Sequence, residues 1–200
     1  IFCVRIMKRD RLKLVRQPPA LLSINPTKMI RKASIQDINQ ITAIYDKIHS
    51  LEENGVYTVG WKRGIYPTLQ TALRALDRDD LYVLESDGHI FASAVINSEQ
   101  LPEYTAGKWK YPANDDEVLV LHTLVVDPDS PHRGFGTEFV RFYESLGRSL
   151  GYRALRIDTQ TKNRNARLFY PGLGFSESGI VDSEFNGCGT VELVLLEKSL

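Results

Sequence analysis

Residues 117–150 read EVLVLHTLVVDPDSPHRGFGTEFVRFYESLGRSL, and this stretch decides the fold. Val118 to Val126 is a near-continuous apolar run, the pattern of a buried strand. Asp127-Pro128 stops it, because proline has no N–H to give a strand ladder. A turn-rich loop follows, from Asp129 to Gly136. Phe139, Phe142, Tyr143, Leu146 and Leu150 then recur at three- and four-residue spacing, which predicts a helix. The order is strand, glycine loop, helix. Such a loop gathers main-chain N–H groups at a helix start, where the donors lack partners and the macrodipole is positive. An anion fits there, most often a phosphate. Glycine at 134 and 136 permits positive φ and close approach of a ligand to the backbone.

Two common phosphate motifs are excluded. A P-loop needs Lys-Ser or Lys-Thr after its second glycine. A dinucleotide fingerprint needs a third glycine where Phe139 stands. Instead, Leu124-Val125-Val126-Asp127-Pro128 followed by Arg133-Gly134-Phe135-Gly136 resembles motif A of the GNAT superfamily of N-acetyltransferases, Gln/Arg-x-x-Gly-x-Gly/Ala. Pro131 occupies the first motif position, a departure that leaves Arg133 as the nearby basic side chain. A second block agrees. Leu155 to Thr159 reads as a short strand, and Asn163, Ala166, Tyr170 and Gly174-Phe175 follow with the spacing of the family's motif B. Asn163, Ala166 and Tyr170 fall on successive turns of one helix face. Taken alone, Asn163 reads first as a helix cap and Tyr170 as a core aromatic; the two motifs in the expected order and separation reverse that reading. The resemblance spans about residues 29 to 197.

Composition sets the outer bounds. The 200 residues suffice for one domain with a real core. The formal net charge is zero, so no global field draws the chain to nucleic acid or acidic lipid. That zero hides an asymmetry: residues 1–28 carry seven Lys or Arg against one Asp, and the remainder 18 against 24 acidic residues. The two cysteines, Cys3 and Cys188, have no metal-ligand spacing and imply no disulfide framework. A reducing, cytoplasmic compartment fits them. No run approaches the roughly twenty apolar residues of a membrane span.

Elsewhere the chain reads as follows. Residues 1–28 form a basic extension outside the fold, and residues 29–200 a single domain. Ile30 to Ala33 is a strand, and Ser34 with Asp37 forms a capping box. Ile38, Ile41, Ile44, Tyr45 and Ile48 make one helix face, which Asn54-Gly55 ends. Pro67 opens a second helix with Leu69, Leu73 and Leu76 as its apolar face. Leu81–Ser86, Asp87-Gly88 and Ile90–Ile96 form a hairpin. Asn97 to Asp116 has no clear period, a length of loop that is usually functional or mobile. Residues 176–184 and Thr190–Leu196 are a last strand pair about an Asn186-Gly187-Cys188-Gly189 turn. Continuous apolar character in the second of these predicts burial on both faces.

The resemblance implies an α/β fold with a mixed sheet of about seven strands, splayed between strands 4 and 5 and flanked by about four helices. It implies acetyl-CoA as the donor. Its pantetheine arm would lie against the main chain of Leu124 and Val126, with Val125 between them. The pyrophosphate would lie over the amides of His132, Arg133, Gly134, Phe135, Gly136 and Thr137, and Asn163 and Ala166 would line the other side. The reaction implied is direct acetyl transfer to a primary amine of a small molecule or peptide. Tyr170 matches the family's general acid. For the base, His122 has a suitable intrinsic pKa, Glu117 sits at the mouth of strand 4, and Asp158 also faces the cleft if strand 5 is set that way. Trp61 and Tyr66 in one loop, and Tyr104 and Trp109 in another, are candidate acceptor-pocket residues, with packing as their alternative role. A metal site, a nucleic-acid partner and a membrane partner are not expected; the chain is read as a monomer or homodimer. The rival functional reading is an acyl-CoA sensor of the same fold without turnover. A chain beginning at Met29 is expected to melt at the temperature of the full chain, and a large loss in Tm would contradict the assignment of residues 1–28.

Overall fold

The computed structural model describes residues 28–184 and 189–200. The basic extension up to residue 27 and most of the 186–189 turn therefore lie outside the described residues. Seven strands form one sheet: β1 (Met29–Lys32), β2 (Leu81–Ser86), β3 (His89–Asn97), β4 (Val118–Val126), β5 (Ala154–Gln160), β6 (Ser176–Glu184) and β7 (Thr190–Ser199). Their order across the sheet is β1-β2-β3-β4-β5-β7-β6. Every pair is antiparallel except β4–β5. Among the described residues four α-helices flank the sheet: α1 (Ile38–Glu53), α2 (Leu69–Asp77), α3 (Phe135–Leu150) and α4 (Arg164–Phe169). The expected mixed, seven-stranded α/β architecture is therefore what forms.

Polar side chains cap α2 and α4, through Thr68 and Asn163, and a polar cluster precedes α1. Asp37 accepts from the Ser34 amide at 2.7 Å and the Ser34 hydroxyl at 2.8 Å, as the capping-box reading required. A short 3-10 turn, Ile35–Asp37, precedes α1. The five predicted apolar residues of α1 are all buried, each worth about 1.5–3 kcal/mol when taken fully from water. Helix α2 departs from expectation. Thr68 caps it, and Pro67 lies one residue outside. Leu69 is 49% exposed, whereas Leu73 and Leu76 pack against the core as predicted, with Ala72 and Ala75 buried beside them. Small residues let α2 lie close to the sheet, which leucine spacing alone does not reveal. Leu150 in α3 is likewise exposed, because Gly151 ends the helix at that point with φ +82°.

Three clusters make the core. One joins α3 to the sheet through Phe139, Val140 and Tyr143 against Leu119, Leu155, Val194 and Leu196. Another joins α1 and α2 to the opposite face of β2, β3 and β4. The third gathers Tyr104, Trp109 and Leu101 of the 97–116 segment over Val118, Val120, Ala154 and Leu195. Thus α1 and α2 cover half of one face and the long connection covers the rest. As predicted, β7 is buried on both faces from Leu193 to Leu196.

Asp37 also binds Arg31 through two hydrogen bonds, at 2.8 and 2.9 Å. The Arg31 guanidinium, with the Ser34 donors, holds the Asp37 carboxyl down to about 2, below its ordinary 3.8. A depressed carboxyl stabilises the fold fully above its unfolded pKa, and that stabilisation is lost as pH falls through the folded value. Asp37→Asn is expected to lower stability at pH 7 by about 1–2 kcal/mol. It should also flatten the loss of stability between pH 4 and pH 2; an unchanged acid profile would contradict this account.

Candidate active site

Strands β4 and β5 pair in register only from Val118–Ala154 to Val120–Arg156. Beyond that both continue, β4 to Val126 and β5 to Gln160, but on different neighbours. The opening between them is the candidate site. Tyr143 of α3 is inserted at its closed end, and its hydroxyl hydrogen is shared between Leu119 O (2.6 Å) and Arg156 O (3.1 Å). One carbonyl comes from each strand.

A bulge shapes the β4 wall. Ser93 stands opposite Val125 and Val95 opposite His122, so Thr123 and Leu124 together face Ala94. Thr123 takes φ +51°, an uncommon backbone state for a β-branched residue. Its hydroxyl is hydrogen-bonded to Tyr66 Oη. Beyond the bulge the Asp127 amide donates to Phe91 O at 2.7 Å. Backbone direction alternates along a strand, so residues 125 and 127 face β3 and residues 124 and 126 present their N–H and C=O groups to the opening.

At the C-terminal end of β4 lies the glycine loop. His132 and Gly134 adopt φ +58° and +75°. Among the described residues, none of the main-chain N–H groups from His132 to Thr137 donates to a protein acceptor; the first amide of this stretch to do so is Glu138, to Gly134 O at 3.0 Å. These amides line a cavity with Tyr57, Val126 and Phe169. At Gly134 the positive φ demands glycine. At Gly136 an added Cβ would meet only ordinary contacts, Phe169 Cζ at 3.4 Å and Val126 Cγ2 at 3.6 Å. The Phe135 ring is buried in the core and only its amide belongs to the loop surface. The Arg133 guanidinium lies over the stacked Phe91 and Phe135 rings, at 5.1 and 4.9 Å, rather than standing free. This donor set suits a diphosphate: unpaired amides converge at a helix N-terminus of sixteen residues.

The opening continues inward. Leu124, Val126, Asn163, Ala166 and Tyr170 line its next section. Asn163 is both the cap of α4, accepting from Ala166 N at 3.2 Å, and a wall residue. Tyr170 is 6% exposed, its hydroxyl has no hydrogen-bond partner among the described residues, and burial pushes its pKa up. A segment from α1 roofs this part. Glu52 accepts from the amides of Val59 (2.7 Å) and Gly60 (2.8 Å), while Gln160 Nε2 donates to Gly60 O at 3.1 Å. Gly60 has φ +85°, and a Cβ there would lie 1.9 Å from Gln160 Oε1.

At the inner end Trp61, Tyr66, His122, Thr123 and Asp158 enclose a small cavity. Trp61 meets Tyr66 edge to face, with centroids 5.9 Å apart. His122 Nε2 lies 3.1 Å from both Asn97 Oδ1 and Glu99 O. Asn97 Nδ2 donates to Asp80 and its Oδ1 accepts from the Glu99 amide, which fixes the Asn97 orientation. Both neighbours of Nε2 are therefore acceptors. In the neutral imidazole the proton sits on Nε2 and Nδ1 keeps its lone pair. Burial lowers the His122 pKa below 6.5, and the Asp158 charge opposes that shift. Asp158 accepts from Tyr104 Oη at 2.8 Å, and burial raises its pKa.

The structure thus brings His122, Asp158, Trp61 and Tyr66 around one cavity and sets Tyr170 in the adjoining section. It does not bring in Glu117. That residue lies five positions before His122, on the order of 16 Å along the strand, and is held by Arg153 and the Asn114 amide. Tyr104 reaches the site only through Asp158. Trp109 packs elsewhere: Arg156 stacks on its ring at 3.9 Å, and its Nε1 donates to Tyr104 O. Asn97, Glu99, Thr123 and Gln160 are wall or support residues that the sequence reading passed over. The polar pair His122-Thr123 inside an apolar strand was the available signal for the bulge. Fully buried Glu197, which accepts from Ser178 Oγ and the Lys110 and Tyr111 amides, carried none.

Comparison with known proteins adds four findings. The family model for "Acetyltransferase (GNAT) family" matches residues 44–175. An amino-acid acetyltransferase of Pseudomonas putida (strain GB-1) is 28% identical over 162 residues, which is 80% of this chain but 30% of that protein. An uncharacterized N-acetyltransferase of Methanocaldococcus jannaschii is 24% identical over 156 residues, 78% of this chain and 63% of that one. Among solved structures, a GNAT-family acetyltransferase of Streptococcus agalactiae superposes with TM-score 0.71 at 21% identity, covering 86% of this chain and 95% of that one. The chain thus spans about a third of the length of the first of these relatives.

The tautomer and burial of His122 make a direct prediction. Its imidazole is expected to titrate below 6.5 by NMR and to show the Nε2–H form. Titration at or above 6.5 would contradict the neutral, buried state.

Proposed function

The chain belongs to the GNAT acetyltransferase family, and from that premise we propose that it moves an acetyl group from acetyl-CoA to a primary amine by direct transfer. The observation that carries the donor half is the row of unpaired amides from His132 to Thr137, joined by an open strand edge at Leu124 and Val126 to the cavity of His122. Those amides suit the diphosphate of CoA, the β4 edge suits the amide groups of its pantetheine arm, and Asn163 and Ala166 suit the facing wall. When bound, acetyl-CoA supplies an acyl group already activated as a thioester.

The protein's own groups manage protons. An alkylamine has a pKa near 10.4 and is largely protonated at neutral pH. His122 is the base of choice, since its Nδ1 lone pair is free of hydrogen bonds among the described residues and its lowered pKa keeps it neutral at pH 7. Asp158, second in line, lies on the same cavity and steadies the imidazolium when it forms. Tyr170 holds its proton at Oη on the wall of the same opening, and its raised pKa keeps it protonated through the alkaline range. Trp61 and Tyr66 border the amine, and Tyr104 and Trp109 support that pocket from behind. The amino-acid acetyltransferase name of the Pseudomonas relative supports an amine of low molecular weight as acceptor.

Calorimetry with CoA and acetyl-CoA tests the donor half: micromolar binding is expected, and no binding by either would refute it. For the chemistry, His122→Gln and Tyr170→Phe are each expected to lower kcat by about 10²–10⁴-fold. In His122→Gln the acidic limb of the pH–rate profile should disappear as well. Profiles and rates unchanged in both variants would remove these roles, and CoA binding without turnover on any amine would favour the sensor reading.

A further inference from the structure

The acceptor side of His122 opens into a second, wider cavity of about 720 Å³. One wall is α2. Thr71 and Arg74 of α2 line the cavity, with Thr68 at the helix's N-cap and Arg78 at its C-cap. The facing wall carries Asn97, Glu99 and His122. The two arginines are not equivalent. Arg78 is taken up by Asp80, at 2.8 and 3.4 Å, with Glu99 at 4.0 Å beyond. Arg74 makes no hydrogen bond and no ion pair with any described residue, although it borders the same space. A fork of guanidinium donors without a carboxylate is therefore held over the acceptor cavity, and the Thr68 and Thr71 hydroxyls stand on the same wall.

We propose that Arg74 is the specificity-determining residue for the acceptor, and that the acceptor is an amine bearing a carboxylate at its far end. This rests on the acetyl-transfer reading above, and deepens it. A planar guanidinium recognises a carboxylate through two parallel N–H···O bonds, which a lysine or a lone hydroxyl cannot reproduce. The amine end of such a molecule lies toward His122 and Asp158, and its anionic end toward α2. The two ends are then matched to opposite charges: Asp158 on one side for an arriving ammonium group, Arg74 on the other for the anion. A diamine would instead set a second cation against Arg74 and Arg78, so the arrangement also rejects polyamines by repulsion.

The test compares glycine, L-glutamate and 4-aminobutanoate with butylamine and 1,4-diaminobutane, using the full chain and acetyl-CoA. At least one amino carboxylate is expected to have a kcat/KM about tenfold or more above butylamine, with the diamine poorest. Arg74→Gln should raise KM for that carboxylate about 10–100-fold and leave kcat within about twofold, while butylamine is unaffected. Arg74→Glu should turn the preference toward the diamine. Unchanged preference in both variants, or no carboxylate preference in the natural chain, overturns the proposal. Calorimetric binding of the same carboxylates without any acyl donor separates the two readings. Binding lost in Arg74→Gln, in a protein that transfers to none of the amines, keeps Arg74 as the anion reader and removes the transferase reading. Equal binding by both proteins overturns the role of Arg74 whatever the turnover. A melting curve matching the natural chain confirms that each variant is folded.

Discussion

The parting of β4 from β5 after three register pairs is the constraint on which the rest depends. A parallel pair would ordinarily zip to the end of the shorter strand, since each unpaired N–H and C=O left inside a protein is costly. Here each strand is held from its outer side instead. Strand β5 pairs with β7 along its whole length, and β4 stays with β3 to Val126. Tyr143 occupies the fork, where one phenol serves a carbonyl from each strand. Because that phenol is wholly buried, its proton is locked in place well beyond the ordinary tyrosine range. The opening is therefore a built element of the fold, with a protein donor at its root and free backbone along its edge.

From this follow the roles of the surrounding parts. The bulge at Thr123 and Leu124 reverses the facing of every later residue in β4. Val118, Val120 and His122 face the side covered by the long connection, yet Val125 rather than Leu124 continues on that face. His122, just before the bulge, keeps its ring on the side of the wider cavity, and the bulge turns the Leu124 and Val126 main chain toward the opening. Alternation along β5 puts Arg156, Asp158 and Gln160 on one face. Asp158 bonds Tyr104, Gln160 bonds the Gly60 carbonyl, and Arg156 stacks on Trp109. A single strand therefore fastens both covering segments.

The sequence made the scaffold legible and, with it, much of the lining of the candidate site. Asp127-Pro128, the glycines after it, and the Asn163–Tyr170 spacing gave the strand ends and helix starts, because each uses a residue whose backbone chemistry is restrictive. The hairpin at Asp87-Gly88 and the cap at Asp37 were legible for the same reason. What escaped were features set by tertiary contact. Helix α2 turns alanines inward because the sheet leaves little room there, so Leu69 points to solvent. Trp109 and Tyr104 looked like pocket aromatics, but their partners, Arg156 and Asp158, lie some fifty residues away in sequence. That Arg74 has no ion pair among the described residues is likewise invisible in a list of charges; it emerges only when the ion pairs of its neighbours are drawn.

Strand β7 enters the sheet between β5 and β6 and is buried on both faces. Its Glu197 carboxylate also receives the Lys110 and Tyr111 amides of the 97–116 connection. Synthesis proceeds from the N-terminus, so every other wall of the cleft leaves the ribosome before this strand does. Until it arrives, β5 has one bare edge and the segment around Lys110 lacks its fastening point. Closure of the sheet beside β5 is thereby tied to β7 rather than to the helices and turns that announce the family.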